Sequence, residues 1–152
     1  MSEFIVDLDT GEARDLDGEW AALHDHAAGL CARRPETPLE VDRLLRELED
    51  EGVVIADFLR SVNNARYAAE ILYSRALNAA LARHGEDIKS VTVARANAEL
   101  DAAAEFEQFL NTKAIYHHVE DIGRALARKH YGLMNTNKGI QGMTASEHRR
   151  TP

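Results

Sequence analysis

"TPLEVDRLLRELEDEGVVIADFLRSVNNARYAAEILYSRALNAALARHGED", residues 37–87, decides the fold. Apolar residues recur in it at Val41, Leu44, Leu45, Leu48, Val54, Ile55, Phe58, Leu59, Val62, Ala65, Ala69, Leu72, Ala76 and Ala80. Steps of three and four lay such residues along one side of an α-helix. Thr37, Pro38 and Glu40 mark the start, with threonine at the N-cap, proline at the first helical position and glutamate reaching back three residues later. No proline interrupts the helix before the break at 83–87. As one rod, Leu39 to His84 would be roughly 69 Å long at 1.5 Å per residue. A compact chain of this size has a radius of gyration of about 15 Å. The helix is therefore expected to bend near Gly52, where glycine weakens a helix interior by about 1 kcal/mol, and to be covered by other copies of the chain. "AAEILYSRALNAALA", residues 68–82, supports a homo-oligomer, because small side chains let helices approach closely.

Upstream, "FIVDLDTGEARDL" alternates Phe4, Val6 and Leu8 before a turn-rich Asp9-Thr10-Gly11. That pattern predicts a small β-hairpin over 1–16. From Asp17 the period changes, with Trp20, Leu23, Ala27 and Leu30 on one stripe of a helix over 17–34. Downstream of the 38–84 helix, Ser90 or Thr92 caps one or two further helices over 90–134, with "NTKA" at 111–114 as either a joint or a polar turn of a continuous helix. Past Met134 the composition turns to Asn, Thr, Gly, Lys and Gln without period, which predicts a flexible tail over 135–152. The expected class is mainly α: an elongated helical hairpin or bundle forming a single domain over 1–134, with a small N-terminal β-hairpin and a disordered C-terminal tail.

No stretch approaches the roughly 20 apolar residues needed to span a bilayer, and the N-terminus lacks a basic region followed by an apolar run. The chain is expected to be cytoplasmic and to have no membrane partner. Cys31 is the only cysteine, so an intrachain disulfide and a thiolate cluster are both excluded. The net charge is −8, yet it is unevenly spread. Residues 113–152 hold seven Lys and Arg against three acids, while residues 1–112 hold 11 against 23. Such asymmetry points to an acidic body and a basic segment with different partners.

The basic segment lies on the last helix. Ile115, Val119, Ile122 and Leu126 form one apolar stripe. Lys113, His117, Glu120, Arg124, Arg128 and Tyr131 fall opposite it, between about 140° and 220° from Ile115 at 100° per residue. Beyond Asp121, the bases Arg124, Arg128, Lys129, His130 and Lys138 have no acidic neighbour in sequence until Glu147. The plain account is that bases in a last turn complement the helix dipole. The functional account adds Tyr131 and the amide-rich residues 135–139: cations for phosphates and an aromatic face for a base, the parts of a single-stranded nucleic-acid site.

Catalytic signatures are absent. There is no Gly-rich phosphate loop, nucleophile elbow or cysteine–histidine pairing, so no cofactor is expected. His117 or His118 with Asp121 leaves a metal site two ligands short, and the glutamate–histidine repeat of a di-iron bundle does not occur. Glu47, Glu49, Asp50 and Glu51, facing Glu99, Asp101, Glu105 or Glu107, are similar to the magnesium-binding helices of all-α nucleotide pyrophosphohydrolases, but the spacing departs from their repeated pattern.

The C-terminal half carries a resemblance. An alanine- and acid-rich helix opened by "VTVARANAELD" precedes one that starts apolar, "AIYHHVEDIGRAL", and ends basic, "ARKHYGLMN". Over residues 60–140 this layout resembles the recombination mediator proteins of T4-type phages: small helical proteins that form ring-like oligomers through the C-terminal region, bind single-stranded DNA and help load a recombinase. The resemblance implies that Ile115, Val119, Ile122 and Leu126 are oligomer contacts and that Arg124, Arg128, Lys129 and Lys138 face DNA. The chain departs from that family in two ways: its first 112 residues are strongly acidic, and it carries an N-terminal hairpin and helix that the layout does not require.

The expected function is that of a non-enzymatic, phage-type accessory protein of DNA recombination or replication. It would bind single-stranded DNA through Arg124, Arg128, Lys129, His130, Tyr131 and Lys138, and a recombinase or replication protein through its acidic body. The alternative is a small acidic protein that blocks a nucleic-acid-handling enzyme by mimicking its ligand. A third reading is a magnesium-dependent all-α nucleotide hydrolase.

Overall fold

A computed structural model describes the backbone of residues 4–6, 13–87 and 90–148 and the side chains of 15–85 and 90–138. The chain is mainly α. The elements in order are β1 (Phe4–Val6), β2 (Ala13–Asp15), α1 (Leu16–Ala32), α2 (Pro38–Asp87), α3 (Val91–Asp101) and α4 (Ala103–His148). β1 and β2 pair antiparallel with Phe4 opposite Asp15. Of the hairpin expected over 1–16, the turn residues 7–12 lie outside the described residues.

α2 starts where its sequence marks it. Thr37 Oγ1 accepts a hydrogen bond from the Glu40 N–H at 3.3 Å, and Glu40 Oε2 accepts from Thr37 N at 3.2 Å and Glu36 N at 2.7 Å. Three otherwise orphaned N–H groups are thereby satisfied, with Pro38 next to them at the first helical position. The reciprocal bonds are also why Glu40 titrates below its usual range: backbone N–H groups of Glu36 and Thr37 favour the charged carboxylate. Ser90 stands at the N-cap of α3 with extended backbone, but its hydroxyl makes no capping bond.

The chain divides into two compact units where the sequence leads one to expect a single domain. Unit 1 comprises Met1–Leu16 and Leu59–His118, and unit 2 comprises Asp17–Phe58 and Val119–Pro152. Both α2 and α4 contribute a segment to each. The apolar period runs through Phe58 and Leu59 without a break, so periodicity alone does not mark the boundary. α2 is likewise helical straight through Gly52.

Unit 2 is a three-helix assembly. Its buried residues are Ala27 and Leu30 from α1, Val41, Leu44, Leu48, Ile55 and Phe58 from α2, and Val119 and Leu126 from α4. The α2 set steps 41, 44, 48, 55, 58, and the missing member of that series is residue 51, a glutamate. Glu51 therefore occupies a core position and is only 6% exposed. His26 Nδ1 of α1 lies 2.7 Å from its Oε2, while its Oε1 is buried without a hydrogen-bond partner. A buried charge is retained at a cost, and in helical bundles a lone polar core residue serves best to fix register. Through His26, Glu51 links α2 to α1. Val53 and Val54, by contrast, face outward, because two neighbouring residues cannot both share the face of Ile55.

Unit 1 packs on small side chains. Ala69 and Ala80 of α2, Ala94 and Ala98 of α3, and Ala102 between α3 and α4 are all buried, together with Val62 and Ile115. Tyr73 fills the wider gap, with ring centroids 5.0 Å from Phe106 and 6.5 Å from Phe109. Arg83 and His84 near the end of α2 both reach Asp101 Oδ2, at 3.2 and 3.0 Å. Residues 111–114 are a polar turn of a continuous helix and not a joint, and the discontinuity sits at Ala102, whose φ of −98° and ψ of 13° separate α3 from α4 by one residue. Thr112 is fully buried, and its hydroxyl donates to the carbonyls of Gln108 and Phe109 at 3.0 and 3.1 Å, so the polar residue is satisfied inside an unbroken helix.

From 135 to 148 the backbone continues α4, where the composition predicts an aperiodic tail. Extending a formed helix adds a hydrogen bond for each residue fixed, whereas starting one does not. Thr136 Oγ1 donates to the Gly132 carbonyl at 3.0 Å, and Asn137 Nδ2 donates to Asp42 Oδ1 at 3.2 Å.

Candidate functional site

Arg124, Arg128, Tyr131, Asn135 and Lys138 lie within about 80° of one another around α4, and all are exposed, Tyr131 by 66%. The expected basic face therefore exists as a face. Its charge is another matter. Arg124 Nη2 donates to Glu120 Oε1 at 2.8 Å, and its Nη1 is 3.5 Å from Asp121 Oδ1. Lys129 Nζ donates to the Arg33 carbonyl at 2.7 Å. His130 Nε2 lies 3.1 Å from Glu49 Oε1. Of the expected cations, Arg124 and His130 meet carboxylates and Lys129 a backbone carbonyl, which leaves Arg128 and Lys138 without a hydrogen bond or ion pair among the described residues.

This is a three-dimensional correction to a one-dimensional pattern. The acidic stretch 40–51 and the basic stretch 124–138 belong to the same unit, and Lys129, His130 and Asn137 make their contacts with residues 81 to 96 positions away. The charge dipole read along the sequence folds against itself. Arg33, which the sequence did not single out, is part of the same arrangement. Its guanidinium pairs with Glu47 and holds that carboxyl below the usual range. Arg33, Arg34 and Arg43 line a cleft of about 420 Å³ around the α1–α2 connection, where Glu36 and Glu40 accompany them.

The stripe expected to make oligomer contacts is largely buried within the chain itself. Val119 is 1% exposed, and Ile115 and Leu126 are buried too, so the chain's own helices already cover them. Ile122 is partly buried and lines a small apolar cleft with His24, Ala27, Ala28, Cys31 and Ala125. The apolar stripe of an amphipathic last helix serves equally well for an inner core or a partner, and periodicity does not distinguish them.

The magnesium reading finds no assembled site. Glu47 turns to Arg33, Glu49 to His130 and Glu51 to His26, three partners on different elements. Glu99, Asp101, Glu105 and Glu107 belong to the other unit, where Asp101 pairs with Arg83 and His84 and Glu99 with Arg95. Among the described residues, no three His, Cys, Asp or Glu side chains converge on a point that could hold a metal ion. No helix among them is long and apolar enough to cross a membrane.

What the sequence did not single out is the apolar exterior of unit 1. α3 buries Ala94 and Ala98 on its inner side. Its outer side is apolar as well: Val93, Ala96 and Leu100 are all exposed, Leu100 by 74%, and Val91 at its start by 83%. Ala103, Phe106 and Leu110 of α4 prolong that stripe. On α2, Tyr67, Ile71 and Leu72 are exposed in turn. α3 therefore carries two apolar sides, separated by Thr92, Arg95 and Glu99 on one flank and by Asn97 and Asp101 on the other. The signal was present as Val93, Leu100, Phe106 and Leu110 in helical spacing, but it reads as core until the alanine face is seen to fill that role. No protein-family model, curated protein or solved structure matches this chain.

Proposed function

We propose that this is a non-enzymatic helical binding protein whose working surface is the exposed apolar side of unit 1. The observation that carries this reading is α3, a helix with alanines packed inward and with Val93 and Leu100 standing outward. Contiguous apolar exposure of that kind marks interaction surfaces on soluble proteins. Ionisable groups offer no competing site, because the carboxylates expected to act together are each engaged by a separate base. The test is site-specific photocrosslinking in cells that make the protein. A benzophenone amino acid replaces Leu100, and a control replaces Asp25, which is 89% exposed on unit 2. Position 100 is expected to give a discrete protein adduct and position 25 none. A blank at position 100 refutes the reading.

A second reading keeps the single-stranded DNA role and, with it, an accessory place in recombination or replication beside a recombinase. Arg128, Tyr131 and Lys138 favour it, since they stand exposed on one side of α4. Two cations and one ring form a short site, so affinity would be weak and strongly salt-dependent. Anisotropy of a labelled single strand at low and moderate salt, with wild type and Arg128→Ala/Lys138→Ala, tests it. No binding at low salt removes this reading, and binding unchanged in the variant removes the site.

A further inference from the structure

We propose that the end of α4, residues 127–138, is an autoinhibitory strap: α1 and α2 of the same unit hold the groups with which it would grip a single strand of nucleic acid, and the strand must displace them to bind. The inference rests on the second reading above and names how that site is regulated.

Three observations carry it. The first is complementary charge within one unit. Residues 124–138 contain four Lys and Arg, one histidine and no acid, while residues 38–51 contain six acids against two bases. Both segments belong to unit 2. His130 Nε2 lies 3.1 Å from Glu49 Oε1, Asn137 Nδ2 donates to Asp42 Oδ1 at 3.2 Å, and Lys129 Nζ donates to the Arg33 carbonyl at 2.7 Å. Carboxylates and a carbonyl thus take the place that phosphate oxygens would have on the strap.

The second is the inner face of α4. Within unit 2 it runs Val119, Ile122, Leu126 and then, by the same three-and-four steps, His130, Leu133 and Asn137. Leu126 is buried, but the last three are only half-buried. A helix end that served the core alone would continue the apolar stripe. Polar contacts replace it here at two of three positions, and such contacts near the surface are weak because water competes for both partners. The third is the packing at the root of the strap. A cleft of about 310 Å³ lies there, lined by Leu48, Glu49 and Gly52 of α2 and by Gly123, Ala127 and His130 of α4. A Cβ added at Gly52 would meet nothing within 4 Å, so the two helices are not closely packed where the strap begins.

With the strap held, Arg128, Tyr131 and Lys138 face solvent. Its release adds Lys129, His130 and the Asn137 amide, which turns a short site into one with the cations, ring and amides that a single strand requires.

Hydrogen exchange and the anisotropy titration, both on the full chain, test the proposal with Asp42→Ala/Glu49→Ala. Both positions are exposed on α2, and alanine suits a helix. Exchange over 127–138 is expected to quicken about five- to twentyfold while 119–126 stays unchanged, and affinity for the labelled strand to rise about five- to twentyfold. Removing two negative charges favours a polyanion by itself. The control is therefore Asp25→Asn/Asp50→Asn, at exposed positions of unit 2 that make no hydrogen bond or ion pair with α4 among the described residues. Its gain is expected to stay within about twofold, because solvent screens exposed charges. Should the double variant fail to fold, Glu49→Ala alone is expected to give about two- to fivefold in each measurement. Unchanged exchange over 127–138 overturns the strap. Faster exchange with an affinity no higher than the control's overturns the autoinhibition and leaves the nucleic-acid reading standing. If neither wild type nor the released variant binds the strand at low salt, the nucleic-acid reading falls and the regulation with it.

Discussion

Replacing Thr37 by alanine removes one hydrogen bond and tests whether the start of α2 works as described. The Thr37 hydroxyl accepts from Glu40 N–H at 3.3 Å, slightly beyond the 2.7–3.2 Å usual for such bonds. Loss of an N-cap side chain costs about 0.5–2 kcal/mol, and the long distance puts Thr37 in the lower half, about 0.5–1 kcal/mol. In a chain of 152 residues that lowers Tm by about 1–4 °C. Ser90→Ala is the paired control. Ser90 occupies the same cap position on α3, yet its hydroxyl makes no capping bond, so its removal is expected to cost no more than about 0.3 kcal/mol. Urea unfolding is followed by circular dichroism and by the fluorescence of Trp20, the single tryptophan, which lies on α1 in the same unit as Thr37. Coincidence of the two transitions shows whether one free energy describes the change. Equal losses for the two variants, or a larger one for Ser90→Ala, would refute the reasoning that the bond and not the residue type stabilises the cap.

Gly52→Ala is expected to raise stability by about 0.5–1 kcal/mol in the same urea assay, because an added Cβ meets nothing within 4 Å inside a helix. Leu126→Ala, at a buried position in unit 2, is expected to cost about 2–5 kcal/mol while leaving the sedimentation behaviour of the folded protein unchanged, since that side chain faces its own core. Glu40 and Glu47 are both held below the ordinary value of 4.5, by backbone N–H groups and by Arg33 respectively. Each therefore stabilises the fold above about pH 4.5, and that stabilisation is lost as pH falls through the lowered folded values. Thermal melts of wild type and Glu40→Gln/Glu47→Gln across pH 3–7 are expected to converge at the acid end. A constant gap would sink the assignment.

The helical class was legible in residues 37–87 because a helical period sustained from Val41 to Ala80, about 11 turns at 3.6 residues per turn, has no strand equivalent. The start at Thr37 was equally plain, since cap, proline and glutamate are all local. Three things were not local. Glu51 takes a core position that any hydropathy reading gives to solvent, because its partner His26 lies 25 residues away on another helix. The basic run at 124–138 reads as unneutralised along the chain, and only folding supplies Glu49, the Arg33 carbonyl and Asp42 beside it. The stripe of Ile115, Val119 and Leu126 and the stripe of Val93, Leu100 and Leu110 look alike in sequence. One is buried and the other exposed because the alanines of α3 already fill the inside of unit 1.

The division of α2 and α4 between two units also sets an order of events during synthesis. α1 and the first part of α2 leave the ribosome with Leu44, Leu48, Ile55 and Phe58 ready to pack, but Val119 and Leu126 come only after residues 59–118 have been made. At about 5–20 residues per second that interval lasts roughly 3–12 s. For those seconds the nascent chain carries an unfinished core, and a chaperone that reads apolar helices has its natural opportunity there.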